Sequence, residues 1–220
     1  MKKKRIVMIK NALLLVFSLF TSITFASLQS NNSWNLILDK DNIKIFTKDT
    51  NNQSMPFKAT TIIDGNIEDI ANIISNHKEK HLWAPKLKTV QIHEINKNGV
   101  YIFSEFYSTP WPASDRQFLL KGKIRRQKGV IIFRAKSIDK KEFIEEDHVV
   151  AKIKEITLSL KNIEDQKTKM EFIFNGDMNG WLPRWLKRLI QKRWPYKFIE
   201  SLKTQLETAQ SIKKVNQLER

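Results

Sequence analysis

The chain contains no cysteine among its 220 residues. This absence excludes disulfide bonds, thiol catalysis and an N-terminal cysteine that could carry a lipid. Glycine and proline occur only six times each, which is too few for a linker-rich or low-complexity chain. No G-x-S-x-G elbow, phosphate-binding loop or dinucleotide fingerprint is present, so nothing in the sequence indicates a serine hydrolase or a nucleotide-dependent enzyme.

A long apolar run is also missing. Residues 12–20 are apolar, but this run is shorter than the roughly 20 residues that cross a bilayer. A cluster of Lys and Arg precedes it, and Thr24-Phe25-Ala26 offers a small-x-small cleavage site. We therefore expect residues 1–26 to be a signal peptide cleaved before Ser27, with a retained anchor as the alternative. The remaining residues, 27–220, are then one domain in the periplasm or outside the cell.

Acidic residues are scarce relative to basic ones. Lys and Arg number 39 and Asp and Glu 23, which gives a net charge of +16 and a pI near 9.9. This balance is typical of chains that contact nucleic acid or an anionic membrane. The predicted export and the lack of a nucleic-acid motif argue against binding to nucleic acid, so we expect no nucleic-acid partner.

The segments that are present have the periodicity of one α+β domain. Asp64 and Asn66 are candidate caps for a helix over residues 67–74, and residues 33–38 are expected to form a helical turn. Residues 183–212 predict a long helix, which Pro195 is expected to kink. An antiparallel sheet curled around that helix is the simplest arrangement that buries the apolar faces of both. Strands are predicted at 43–48, 57–64, 90–95, 100–107, 114–125, 129–137, 149–160 and 169–176.

The segment 101–124 is the most informative part of the chain. It predicts two strands joined by a turn, because Pro110 and Pro112 cannot continue a strand ladder. Folded back, Glu105 and Arg116 face each other in an apolar shell. A buried ion pair contributes little net stability, so we interpret it as a polar group inside a cavity. The alternative is two exposed charges, worth at most about 1 kcal/mol.

Four segments resemble bacterial START (StAR-related lipid-transfer) domain proteins of the helix-grip superfamily. Segment 114–118, SDRQF, is similar to the S-D-R-D-F motif of that family, although Gln117 stands where the family usually has an acid. The other three are the opening Trp34 with DNIKIFT at 41–47, HLWAP at 81–85, and GWLPRWL at 180–186. The resemblance covers about residues 34–210.

The resemblance implies a helix-grip fold, in which a curved antiparallel sheet wraps around a long C-terminal helix and encloses a hydrophobic cavity. In that family an acid and an arginine on consecutive strands pair within the lipid cavity, and the matching positions here are Glu105 and Arg116. We expect ligand contacts from these two residues and from their neighbours Phe103, Tyr107, Trp111 and Phe118.

The start of the last helix is a candidate membrane contact. Tryptophan and basic residues alternate here, and no acidic residue occurs between Asp177 and Glu200. This composition suits an anionic membrane surface, while the alternative is tryptophans packed on the sheet beneath a solvated basic face. The expected contact residues are Trp181, Trp185, Arg184, Lys187, Arg188 and Lys192.

The sequence thus predicts a non-enzymatic protein that binds or transfers a lipid or another hydrophobic ligand, and we expect it to be a monomer. The alternative is a cyclase- or aromatase-like enzyme in which Glu105, Tyr107 or Tyr101 moves protons. His77 and His81 are spaced four apart, but the sequence offers no third ligand. We therefore expect no metal and no cofactor.

Overall fold

The computed structural model describes residues 33–50 and 53–218. The predicted signal peptide lies outside the described residues. Ten strands form one sheet, and their bounds are β1 (Asn35–Lys40), β2 (Ile43–Thr47), β3 (Phe57–Asp64), β4 (Leu87–Ile95), β5 (Val100–Tyr107), β6 (Arg116–Gln127), β7 (Val130–Ser137), β8 (Val149–Val150), β9 (Lys152–Glu164) and β10 (Lys167–Asp177).

The sheet is antiparallel and curves around the C-terminal helix. Its strand order is β1-β2-β3-β10-β9-β7-β6-β5-β4, and the two-residue β8 pairs parallel with β6. The strand predicted over 149–160 is therefore divided between β8 and β9. The predicted α+β helix-grip architecture is otherwise confirmed.

Within residues 33–50 and 53–218, three α-helices accompany the sheet: α1 (Ile67–Ser75), α2 (Lys80–Trp83) and α3 (Arg184–Leu218), and a 3-10 helix spans Lys141–Phe143. The side chain of Asn66 accepts the Glu68 backbone N–H at 2.8 Å, so Asn66, rather than Asp64, is the N-cap of α1. Sequence periodicity does not predict the four-residue α2. In the described part of the chain, no helix has the length and apolar character needed to cross a bilayer.

The core lies between the inner face of the sheet and α3. Along β3, Phe57, Ala59 and Ile63 point inward and are at most 2% exposed, as the alternating pattern predicts. Leu202 and Leu206 of α3 are equally buried against this face, and burying such a side chain contributes about 1.5–3 kcal/mol. α3 therefore closes the open side of the sheet.

The predicted helical turn at 33–38 is wrong, because Asn35–Lys40 form β1 and pair with β2. The connection is a two-residue turn in which Asp41 and Asn42 have φ values of 52° and 58°. Positive φ at both positions is the geometry of a type I′ hairpin turn, which Asn and Asp tolerate. The Tyr196 hydroxyl also donates to Asp41 at 2.5 Å, so the hairpin is tied to α3.

Candidate functional site

Two cavities lie between the sheet and α3. The first has a volume of about 110 Å³ and the second about 90 Å³. Four aromatic side chains border both: Tyr107, Phe118, Phe174 and Trp194. The ring centroids of Tyr107 and Phe118 are 4.9 Å apart, and those of Tyr107 and Trp194 are 6.0 Å apart. We call these four side chains the aromatic partition, since they separate the two cavities.

The hairpin of β5 and β6 supplies the polar groups of both cavities. In its register Glu105 lies opposite Phe118, and Tyr107 lies opposite Arg116, which confirms the predicted hairpin. Side chains alternate along a strand, so Phe103, Glu105 and Tyr107 share the inner face. The Glu105 side chain is only 5% exposed, so the interpretation of two exposed charges is excluded for this carboxylate.

Glu105 pairs with Lys80 rather than with Arg116. The Lys80 ammonium lies 2.5 Å from Glu105 Oε1, and the Tyr107 hydroxyl donates to Oε2 at 2.8 Å. Burial raises the pKa of Glu105, but Lys80 and Tyr107 outweigh burial and hold the pKa below its ordinary value. Burial, together with the adjacent carboxylate, raises the pKa of Tyr107 well above its ordinary value. The first cavity therefore contains a charged but internally neutralised pair.

The predicted ion pair of Glu105 with Arg116 is wrong. The guanidinium of Arg116 instead donates to the backbone carbonyls of Met178 at 2.8 Å and of Asn179 at 3.0 Å, and also to that of Ser114. A planar guanidinium with five N–H groups can satisfy several carbonyls at once. Arg116 thus holds the loop that leads into α3. Glu105 pairs instead with Lys80, which lies on α2.

Lys80 is the site residue that sequence reasoning missed. It lies 25 positions before Glu105, on the short α2 that periodicity does not reveal. The resemblance to the helix-grip family directs attention to an arginine partner instead. Lys80 directly precedes the HLWAP segment and gives no local signal of burial, because its partner is determined by how α2 packs on β4.

His77 is a second residue of the first cavity. Its ring lies 5.9 Å from that of Tyr101 and 5.7 Å from that of Phe103. Its Nδ1 is the one buried side-chain nitrogen or oxygen in the described part of the chain that has no hydrogen-bond partner. Burial, and then the charge of Lys80, lowers the pKa of His77. The imidazole is therefore neutral at neutral pH and its buried nitrogen is unsatisfied.

The predicted ligand contacts are mostly, but not all, at the cavities. Trp111 is 88% exposed and borders neither cavity. The other residues line one cavity or both: Phe103, Glu105, Tyr107, Arg116 and Phe118. Contact with a ligand stays a prediction for each of them.

The second cavity is covered by residues 181–194, which we call the α3 entry segment. Its inward side is apolar and lines the cavity through Leu182, Leu186, Leu189 and Ile190. Its outward side carries Trp181 and Trp185, which are 65% and 50% exposed. Across the cavity mouth stands Pro110 of the β5–β6 loop. The segment is therefore apolar inside and aromatic and basic outside.

A curved antiparallel sheet that encloses cavities against a long C-terminal helix defines the helix-grip class. The START domain family model matches residues 26–214, so the chain belongs to the START domain family. No curated protein matches the chain in sequence.

Solved structures share this fold at low sequence identity. Human StAR-related lipid transfer protein 5 has a TM-score of 0.74 at 12% identity, covering 93% of this chain and 97% of that one. Human STARD10 has the same TM-score and identity, with coverage of 89% and 83%. A STAR-related lipid transfer protein from Xanthomonas axonopodis has a TM-score of 0.66 at 16% identity, with coverage of 79% and 98%.

Proposed function

We propose that this protein binds a lipid or another hydrophobic molecule between the sheet and α3 and releases it unchanged. The observation that carries the proposal is the pair of aromatic-lined cavities with one buried polar cluster at Lys80, Glu105 and Tyr107. Apolar walls with few polar groups are typical of small-molecule sites. Transfer of apolar ligand surface into such walls contributes about 25 cal/mol per Å².

Both cavities are small. Ligand pockets for molecules of drug size usually enclose about 300–1,000 Å³, whereas these cavities measure about 110 and 90 Å³. A larger ligand therefore requires the aromatic partition to move. Trp194 is the member contributed by α3, and its indole N–H donates to the Pro85 carbonyl at 3.1 Å. We infer that this side chain moves when the two cavities join.

A binding role without turnover fits the electrostatics of the site better than acid–base catalysis does. An efficient general acid or base has a pKa near the working pH. Lys80 and Tyr107 lower the pKa of Glu105 despite its burial, and burial together with Glu105 raises the pKa of Tyr107. Both shifts lead away from neutral pH, so neither group is tuned to exchange protons with a substrate.

The α3 entry segment is proposed to contact an anionic membrane while ligand enters or leaves. Trp185, Arg188 and Lys192 follow one another at intervals of three and four residues, which places them along one stripe of the helix. All three are exposed, and the stripe lies above the second cavity. We further propose that the protein acts outside the cytoplasm, which the composition of residues 1–26 supports, and that it acts as a monomer.

The binding proposal is tested by expressing the full chain in bacteria, purifying it and measuring bound lipid by native mass spectrometry. We expect about one apolar molecule per chain, either co-purified or taken up from vesicles of bacterial polar lipids. Ala135→Leu narrows the first cavity and should reduce occupancy. Lys136→Leu is the matched control, because Lys136 is exposed on the opposite face of β7 and does not border the first cavity. A chain that takes up no lipid under any of these conditions would contradict the proposal.

A further inference from the structure

The outer face of the sheet, on the side away from α3, carries an open groove of about 400 Å³ across β6, β7 and β9. Leu120 borders the first cavity on the inner face, so alternation along β6 directs its neighbour Lys121 outward, and Lys123 with it. Five exposed cations line the groove, and we call them the basic groove: Lys121, Lys123, Arg134, Lys136 and Lys154. The sheet therefore presents concentrated positive charge to solvent on the side opposite α3.

Like charges lie directly opposite one another in the basic groove. Lys121 lies opposite Lys136 in the register of β6 and β7, and two residues further along Lys123 lies opposite Arg134. Side chains at such positions have Cβ atoms about 4.5–5.5 Å apart, and like charges there destabilise a sheet. The two pairs follow each other along the strands at about 6.6 Å, the distance that two residues span. The fold therefore concentrates four positive charges at a cost to its own stability.

The cations of the basic groove have no ion-pair partner within residues 33–50 and 53–218. None of the salt bridges in that part of the chain includes a member of the groove. Glu155 is the acidic residue on the groove wall, but its carboxylate accepts the Thr157 hydroxyl at 2.9 Å. An anion that enters the groove therefore meets cations whose mutual repulsion it relieves.

We propose that the basic groove binds an acidic segment of a partner protein in an extended conformation. Alternate side chains of an extended segment lie on the same side at intervals of about 6.6 Å, which is also the interval between the two cation pairs. Carboxylates at alternate positions can therefore each meet one pair, and complementary charge steers such partners together. The inference concerns the outer face of the sheet and is independent of the ligand binding proposed for the inner face.

Three other occupants fit the basic groove less well. A bilayer contact favours exposed tryptophans, which lie on the α3 entry segment and not among the residues of the groove. Single-stranded nucleic acid favours aromatic side chains for base stacking, and the described residues that line the groove include none. A second copy of this chain carries the same net charge of +16, which opposes its approach. An acidic polypeptide needs no aromatic contact and is attracted by this charge, so the groove favours it.

The test measures how tightly the full chain binds a fluorescently labelled peptide of alternating Glu and Thr, by fluorescence anisotropy at about 0.1 M ionic strength. The groove variant combines Lys121→Gln with Lys136→Gln, because these two lysines border the groove but not the first cavity. We expect the groove variant to bind the peptide about tenfold more weakly, which is the effect of losing two exposed ion pairs. Its lipid occupancy should be unchanged, so failure of this inference and failure of the binding function are distinguishable.

A matched control removes the same charge elsewhere on the outer face. Lys161 and Lys169 also lie directly opposite each other, on β9 and β10, and neither borders the groove. Lys161 lies four residues beyond Thr157 along β9, a distance of about 13 Å, whereas charge is screened over about 10 Å at this ionic strength. Lys161→Gln with Lys169→Gln should therefore leave peptide binding unchanged.

Urea unfolding checks that the groove variant is folded, and because this variant separates like charges it should be at least as stable as the unaltered chain. Absence of peptide binding, or equal loss of binding in the groove variant and the control, would overturn the inference. Tighter binding of an oligothymidylate with as many charges as the peptide, lost in the groove variant, would assign the groove to nucleic acid instead. Self-association of the unaltered chain in sedimentation velocity, absent from the groove variant, would assign it to a second copy and also overturn the inference.

Discussion

At the scale of single residues, Arg116 has a structural role where an ion pair with Glu105 was predicted. Its guanidinium joins the start of β6 to three carbonyls of the loop before α3, at Met178, Asn179 and Trp181, with the last at 3.4 Å. The residue is 3% exposed, so water cannot replace these bonds. Arg116 therefore fixes where the α3 entry segment begins, and with it the cover of the second cavity.

Replacing Arg116 with Lys tests this role. One ammonium cannot reach all of these carbonyls, and losing hydrogen bonds to a buried charged group costs about 1.5–3 kcal/mol. We expect Arg116→Lys to lower the free energy of unfolding in urea by that amount. Arg125→Lys is the matched control, because Arg125 is exposed on the same strand. Unchanged stability together with lost lipid binding would contradict the structural role and restore the predicted ligand contact.

At the scale of elements, most of the fold follows from local sequence signals. The alternation of residues 57–64 predicts β3 with the bounds that the structure has, and Asn66 marks the start of α1. The prolines at 110 and 112 predict the β5–β6 hairpin. These elements are predictable because strand alternation, capping and proline geometry depend on neighbouring residues alone.

The partner of Glu105 was not predictable in the same way. The hairpin register places Glu105 on the inner face, but Arg116, on the same face, is drawn to the loop carbonyls. Lys80 reaches the carboxylate only because α2 packs beside β4, a contact between segments far apart in sequence. The burial of His77 depends on the same packing. Local sequence therefore determines which face a side chain occupies, whereas its partner depends on tertiary structure.

The first hairpin offers a test at this scale, because its two-residue turn replaces the helical turn that the sequence predicts. Asn42 has a φ of 58°, and a β-branched residue in this left-handed region costs about 1–2 kcal/mol. We expect Asn42→Val to destabilise the protein by that amount in urea unfolding. Asn42→Gly should be neutral or slightly stabilising, because glycine adopts positive φ freely. Equal stability of the two variants would contradict the type I′ turn.

At the scale of the whole molecule, basic residues occur on two separate surfaces. One is the outward side of the α3 entry segment, with Arg184, Lys187, Arg188 and Lys192. The other is the outer face of the sheet, where Lys121 lies opposite Lys136 and Lys123 lies opposite Arg134 on β6 and β7. The first surface combines cations with exposed tryptophans and covers the second cavity. The proposed membrane contact therefore depends on where the charge is, not on the net charge.

Two triple variants with the same net charge distinguish these possibilities. The first variant removes charge from the α3 entry segment by Lys187→Gln, Arg188→Gln and Lys192→Gln. The second removes the same charge from the sheet by Lys121→Gln, Lys123→Gln and Arg134→Gln. Each cation near an anionic bilayer contributes about 1 kcal/mol, so the first variant should bind vesicles containing anionic lipid about a hundredfold more weakly.

The second variant should bind these vesicles like the unaltered chain in a sedimentation assay. Binding should also weaken with added salt, because the attraction is screened over about 10 Å at 0.1 M ionic strength. The exposed indoles of Trp181 and Trp185 add an interfacial contribution that salt does not screen, so a salt-resistant remainder should disappear when both are replaced by alanine. Equal loss in the two triple variants would show that net charge alone brings the protein to the membrane, and the α3 entry segment would then have no special role in ligand exchange.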